Sequence, residues 1–206
     1  MGILAALMVI GIDVAPLLAG AGILGLAFSF ASQNLIKDAL NGFFIIIEDQ
    51  YAVGDVITVG AVSGSVERLN LRITQLRDAE GRLITIPNSS IQTVANHSNG
   101  WSRSDIKIPI SYSSDIDKAI KIIQQVGEII SQEAIWAENI LEVPQVLGVE
   151  DFADRGLVIR IWIKTEPLKQ WEVSREFRLR VKKALEAANI PLPIPQQQIW
   201  INHSSE

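Results

Sequence analysis

The sequence predicts a membrane-spanning α-helix followed by two small domains, the first all-β and the second α+β, with one further strand at the C-terminus. Three observations lead there. No ionisable side chain occurs from Val14 to Ile36, and the sole one before Lys37 is Asp13. From Val53 the chain turns to short runs rich in β-branched residues, separated by glycine-containing turns. Beyond Trp101 the runs follow the order strand, helix, strand, strand, helix.

Composition narrows the function classes. At 206 residues the chain has room for one ordinary domain or two small ones. A net charge of −5 gives no reason to expect nucleic acid as a partner. Cysteine is absent, which excludes disulfides, thiolate metal sites and cysteine nucleophiles.

The uncharged stretch holds about 23 residues, or roughly 34 Å of helix, enough to cross a hydrocarbon core of roughly 30 Å. It contains Gly20-Ala21-Gly22-Ile23-Leu24-Gly25, which spells the dinucleotide fingerprint G-x-G-x-x-G. That motif needs a strand before it and an acidic residue about 20 positions on, after a second strand. Asp13 and Pro16 interrupt the would-be strand, and Asp38 follows helix-like sequence. A helix explains the glycines better. At about 100° per residue, Gly22, Gly25, Ser29 and Ala15 share one face, and Gly20, Ala27 and Ala31 share another. Between them runs a strip of Ala19, Ile23, Leu26, Phe30 and Gln33, with Leu24 and Phe28 opposite. Small residues let membrane helices approach closely. Two such faces on one helix suit a ring of copies whose strips line a shared axis, with Leu26 and Phe30 as apolar constrictions that gate by dewetting. A monomeric bundle, its small residues facing other helices of the same chain, fits the periodicity equally well.

After the span, Lys37 and Asp38 break the apolar run, and the helix is expected to bend near Asn34, pass Gly42 and continue at the interface to about Ile47. "DVITV", "GSVERL", "LRITQLRD" and "RLITIP" read as short strands of a small Sm/SH3-like barrel, with a turn at Ala79-Glu80-Gly81 and another at Pro87-Asn88-Ser89-Ser90. "DIKIPI" is a strand, and Ser114 with Asp117 marks a capping-box start for a helix to about Ser131. "VLGVEDFADRGLVIRIWIKT" is a hairpin turning near Asp154-Arg155-Gly156. Pro167 opens a helix to Ala188, with Trp171, Phe177, Val181 and Leu185 toward its buried side. This order is that of a ferredoxin-like split β-α-β sandwich. The final "QQQIWIN" is a strand that needs a partner from another subunit. The expected division is 1–13 for the end of a preceding transmembrane helix and its turn, 14–50 for the long helix, 51–100 for the β domain, 101–190 for the α/β domain and 191–206 for the last strand and tail.

Taken together, "GILGLAFSFASQNLIKDALNGFFIIIEDQYAVGD", "GSVERLNLRITQLRDAEGRLITIPNSSI" and "YSSDID", in this order, resemble the small-conductance mechanosensitive (MscS-like) channels over about residues 12 to 202. The resemblance implies a homoheptamer in the cell inner membrane, multi-pass in the complete protein. Its last transmembrane helix lines a tension-opened pore that releases ions and small osmolytes on hypo-osmotic shock. The β and α/β domains form a cytoplasmic cage with side portals, and the C-terminal strands form a barrel at its base. Leu26 and Phe30 match the two constricting positions, Phe30 standing where the best-known members have leucine. Asn34 stands where they have a hinge glycine, and Gly42 matches the second family glycine. Family members carry at least two transmembrane helices before the pore helix, whereas only "ILAALMVI" precedes the Gly11-Ile12-Asp13 turn, so an incomplete gene product or a trimmed chain is expected.

Other chemistry is set aside. His97 and His203 lie apart and offer no converging metal ligands, and no nucleophile elbow occurs. No catalytic residue, metal or cofactor is expected. Arg68, Arg72, Arg77 and Arg82 read as a salt-bridged strand surface, and "SREFRLRVKKALEAA" as the outer face of an amphipathic helix. The five tryptophans are scattered and suggest no stacking platform. The rival to a channel is a membrane-anchored scaffold or binding module with a small β barrel.

Overall fold

The computed structural model describes residue 13 and residues 15–154 and 156–194. The expected end of a preceding helix, and most of the final strand and tail, fall outside the described residues. The chain divides into two compact units, one ending at Asn96 and the other starting at His97.

The first unit opens with helix α1, Ala15–Ile47, 33 residues without a break. Asp13 starts it by accepting the Ala15 N–H at 2.9 Å through Oδ1, and Pro16 sits in the first turn, where its missing N–H costs nothing. The glycine fingerprint therefore lies inside a helix and forms no phosphate loop. The helix also runs on through Asn34 and Gly42, so the expected bend near Asn34 does not interrupt it. It stops at Asp49, whose φ of 50° is left-handed, while Gln50 N–H returns to the Ile45 carbonyl at 3.1 Å.

Four strands follow as an antiparallel meander: β1 Val56–Val59, β2 Val62–Leu69, β3 Ile73–Arg77 and β4 Leu83–Pro87. A short β5, Ala95–Asn96, returns to pair with β1, giving the order β4-β3-β2-β1-β5. Gly81, at φ 81°, supplies the left-handed residue of the expected β3–β4 turn. The other expected turn is a single 3-10 turn, Asn88–Ser90. Alternate residues Ile57, Val66, Leu76 and Ile86 face a core that Tyr51 and Ile45 of α1 complete.

The second unit has a three-stranded antiparallel sheet of β6 Ser102–Ile110, β7 Gln145–Ala153 and β8 Gly156–Thr165, in the order β6-β8-β7. β8 sits between β6 and β7, which is the split β-α-β arrangement. Period-2 alternation puts Ile106, Ile108, Ile110, Ile159, Ile161 and Ile163 on one face. Helices α2 (Ile116–Gln132) and α4 (Gln170–Ala187) cover that face, with the short α3 (Ala134–Ala137) between β7 and α2 in the chain.

Two local expectations need correcting. The cap of α2 is Asp115, not Ser114: the Asp115 carboxylate accepts the Lys118 N–H at 3.0 Å. A capping box would need Glu or Gln at that third position, and Lys118 stands there instead. α4 begins at Gln170, three residues after Pro167, and its buried stripe is Val173, Phe177, Val181 and Leu185. Trp171 lies about 200° round the helix from Val173 and is 45% exposed. Asp115→Ala is expected to cost the fold about 1 kcal/mol, and Asp115→Asn little, as read by thermal melting of the full chain in detergent.

Candidate functional site

The two halves of α1 differ sharply in what surrounds them. From Ala15 to Lys37 no residue is buried. Leu26 is 61% exposed and Phe30 73%, while Leu24 and Phe28 on the opposite side are 72% and 75% exposed. Ala19, Ile23 and Gln33 are also exposed, so the whole strip is open, as are the Gly20, Ala27, Ala31 face and the Gly22, Gly25, Ser29 face. Among the described residues, a Cβ added at Gly20, Gly22 or Gly25 would meet nothing within 4 Å. Asn34 is exposed as well. No described element of this chain covers the apolar half.

The second half is seated. Asp38, Gly42 and Ile45, spaced to share one face, are buried. A Cβ at Gly42 would lie 2.2 Å from the Leu71 carbonyl oxygen and 2.4 Å from Asn88 Nδ2, so only glycine fits this approach. The Ser89 N–H donates to Asp38 Oδ1 at 2.9 Å, and Arg72 Nε stands 4.0 Å from Asp38 Oδ2. Asn41 Nδ2 donates to the Asn88 carbonyl at 3.2 Å.

Behind this contact lies a buried polar chain. Asn88 Nδ2 donates to the Asn70 carbonyl at 2.8 Å, and Thr74 Oγ1 donates to Asn88 Oδ1 at 2.9 Å. The Tyr51 hydroxyl is 2.9 Å from Thr74 Oγ1. Since Thr74 gives its proton to Asn88, Tyr51 must donate its own to Thr74. Burial pushes the Tyr51 phenol above its usual range, which keeps that donor protonated. All three side chains are essentially excluded from water. The chain Tyr51–Thr74–Asn88 thus fixes the 3-10 turn on which α1 rests. None of these four residues from Asn41 to Asn88 was singled out from the sequence for this role, although the Pro87-Asn88-Ser89-Ser90 turn was.

Of the four arginines expected on the strand surface, three are paired. Arg77 meets Glu67 at 2.7 Å, Arg82 meets Asp78 at 2.6 Å and Glu80 at 3.1 Å, and Arg72 reaches Asp38. Arg68 has no ion pair among the described residues. In the second unit the tryptophans are less scattered than expected. β6 and β8 pair Asp105 with Trp162 and Arg103 with Lys164, which brings the ring centres of Trp101 and Trp162 to 5.0 and 4.3 Å from the Arg103 guanidinium carbon. Among the described residues no group of three or more His, Asp or Glu is placed to hold a metal ion.

Comparison with known proteins follows the same division of the chain. Family models described as mechanosensitive ion channel, transmembrane helices 2/3, as mechanosensitive ion channel, beta-domain, and as mechanosensitive ion channel MscS, C-terminal match residues 1–33, 34–99 and 105–192. The chain is 39% identical over 196 residues to the small-conductance mechanosensitive channel of Caldanaerobacter subterraneus subsp. tengcongensis, covering 95% of this chain and 68% of that protein. It is 37% identical over 191 residues to the moderate conductance mechanosensitive channel YbiO of Escherichia coli, covering 92% of this chain and 26% of that protein. The crystal structure of Helicobacter pylori MscS in the closed state superposes with a TM-score of 0.81 at 27% identity, over 97% of this chain and 78% of that one.

Proposed function

Because the chain belongs to the MscS-type mechanosensitive ion channel family, we propose that α1 lines a pore opened by membrane tension and shared by several copies of this chain. That family is one of membrane channels, which favours a channel over an anchored scaffold. One observation carries the pore reading. Gly42 has a neighbour in its own chain that requires glycine, whereas Gly20, Gly22 and Gly25 on the same helix have none among the described residues. Glycine in a helix interior costs about 1 kcal/mol relative to alanine. Three such residues are accounted for if another copy of α1 approaches closely on each side.

Seams of Gly20, Ala27 and Ala31 against Gly22, Gly25 and Ser29 then turn Ala19, Ile23, Leu26, Phe30 and Gln33 to the axis. Leu26 and Phe30, one helical turn apart, form the dewetting constriction. Leu24 and Phe28 face outward to lipid or to other helices. The assembly is a homoheptamer in the cell inner membrane, with both domains in the cytoplasm. α1 measures roughly 50 Å at 1.5 Å per residue, longer than the hydrocarbon core, so its seated half lies outside the bilayer. Tension favours the wider packing because it does work in proportion to the area gained, and the shift between packings is the gating step. Asn34, between the open and seated halves, is where α1 turns during that shift, and Gly42 keeps the lower half on the β domain as it does so. The open pore passes ions and small osmolytes after hypo-osmotic shock.

Mass measurement of the detergent-solubilised particle tests the assembly. A seven-chain particle is expected, with tension-activated currents on reconstitution. A monomer would end the proposal, because one span cannot enclose a channel.

A further inference from the structure

A cavity of about 250 Å³ opens on the second unit between β6 and the start of α4. Three arginines line it: Arg103, Arg175 and Arg178. None has a carboxylate partner among the described residues, where the ion pairs of this unit use Lys107, Arg160, Lys164, Lys169, Arg180 and Lys182 instead. Two of the three are held in place. Arg103 stacks its guanidinium within cation–π reach of both Trp101 and Trp162, and Arg178 Nη1 donates to Ser174 Oγ at 2.6 Å. The one acid on the lining, Asp105, is already neutralised by Arg160, which donates to both its oxygens at 2.8 and 2.5 Å. That contact holds its carboxyl below the usual range.

Two further features favour an anion with a proton to give. α4 starts at Gln170 with no side-chain cap, so its first N–H groups and the positive end of its dipole lie at the cavity edge. Gln170 lines the cavity, is 6% exposed, and its Oε1 is buried without a hydrogen-bond partner. A buried acceptor left unpaired is costly, and a ligand hydroxyl would relieve it. Unpaired guanidinium groups match the oxygens of a phosphate in charge and geometry.

We propose that this cavity is a binding site for a small phosphate oxyanion, inorganic phosphate or a phosphate monoester, bridging β6 to the first turns of α4. The three arginines neutralise it. Gln170 accepts from the P–OH of hydrogen phosphate, or from a hydroxyl on the carbon chain of an ester, for which Trp171 provides an apolar wall. The cavity is small against the roughly 300–1,000 Å³ of drug-sized sites, which confines the ligand to this size.

The test is calorimetric titration of the full chain in detergent at constant ionic strength with potassium phosphate, glycerol phosphate and potassium sulfate, backed by ³¹P line broadening. Saturable phosphate binding at one site per chain is expected. Sulfate, which has no hydroxyl at neutral pH, should bind at least several-fold more weakly. Arg175→Ala and Arg178→Ala should each weaken phosphate about tenfold or more, the usual loss for a charge-assisted hydrogen bond. Gln170→Leu should erase the preference over sulfate, and Lys121→Gln on α2 should change nothing. Arg175 has no ion pair to lose, so its variant should melt like the parent. Tight glycerol phosphate identifies an ester site and weak glycerol phosphate a free-phosphate site. Absence of saturable binding, equal sulfate affinity, or unchanged affinity in the Arg175 and Arg178 variants overturns the proposal. None of these readouts depends on current through the pore, so the channel reading stands or falls separately.

Discussion

Leu26→Asp is expected to give a channel that leaks without applied tension and arrests growth of the cells that express it, and Phe30→Ser is expected to do the same more mildly. In the proposed ring each substitution is repeated in every copy, so a closed girdle of apolar side chains becomes a girdle of carboxylates or hydroxyls. A narrow pore stays dry because its walls give water no hydrogen bonds. A carboxylate costs about 2.5–3.5 kcal/mol at the centre of a membrane helix, and a ring of them relieves that cost only by drawing water in. Leak at rest should rise by orders of magnitude for Leu26→Asp. Leu24→Ala and Phe28→Ala lie on the opposite side of α1 and should leave resting leak unchanged. Patch recordings at zero tension decide it, and equal, undisturbed closed states in the Leu26 and Phe30 variants would reject the pore assignment.

Gly42→Ala is expected to be the most damaging single-methyl change on α1. The new carbon would sit 2.2 Å from the Leu71 carbonyl oxygen, a backbone atom that cannot swing aside. Overpacking costs typically 1–3 kcal/mol, and a rigid neighbour puts this case at about 3 kcal/mol. The seat of α1 must shift, with strain on the Asp38–Ser89 and Asn41–Asn88 contacts. Asn88→Ala attacks the same seat from the other side. It removes the acceptor for Thr74 and the donor to Asn70, for a loss of about 2–4 kcal/mol from two buried groups left short of a partner. Both variants should melt earlier and change the tension needed to open. Gly25→Ala makes the contrast. It meets nothing among the described residues of its own chain, so the subunit fold should keep its stability while assembly or closure suffers. If Gly25→Ala and Gly42→Ala behaved alike in both readouts, the division of α1 into an assembling half and a seated half would be wrong.

Much of the architecture was legible because it rests on short-range patterns. An uncharged run of membrane length, period-2 alternation in β6 and β8, and the i, i+4 stripe of α4 each depend on residues a few positions apart. Two of the differences between sequence and structure are local as well. The capping role at the start of α2 falls to Asp115 rather than Ser114, and Trp171 lies off the buried stripe of a helix whose register runs through Val173. In both cases a neighbouring residue competed for the same role, and the choice turns on a fraction of a helical turn.

The sequence by itself determined that one long apolar helix precedes an all-β and an α+β domain, and which of its faces carry small residues, because hydropathy and helical or strand period act between near neighbours. The tertiary structure alone decided that Gly42 abuts Leu71, that Asp38 answers Ser89, that Trp101 and Trp162 both meet Arg103, and that three arginines with no ion pair among the described residues share one cavity. Those pairings join positions far apart in the chain. They follow from strand register and from where each helix comes to rest, and the free energy that selects them belongs to the packed whole rather than to any segment.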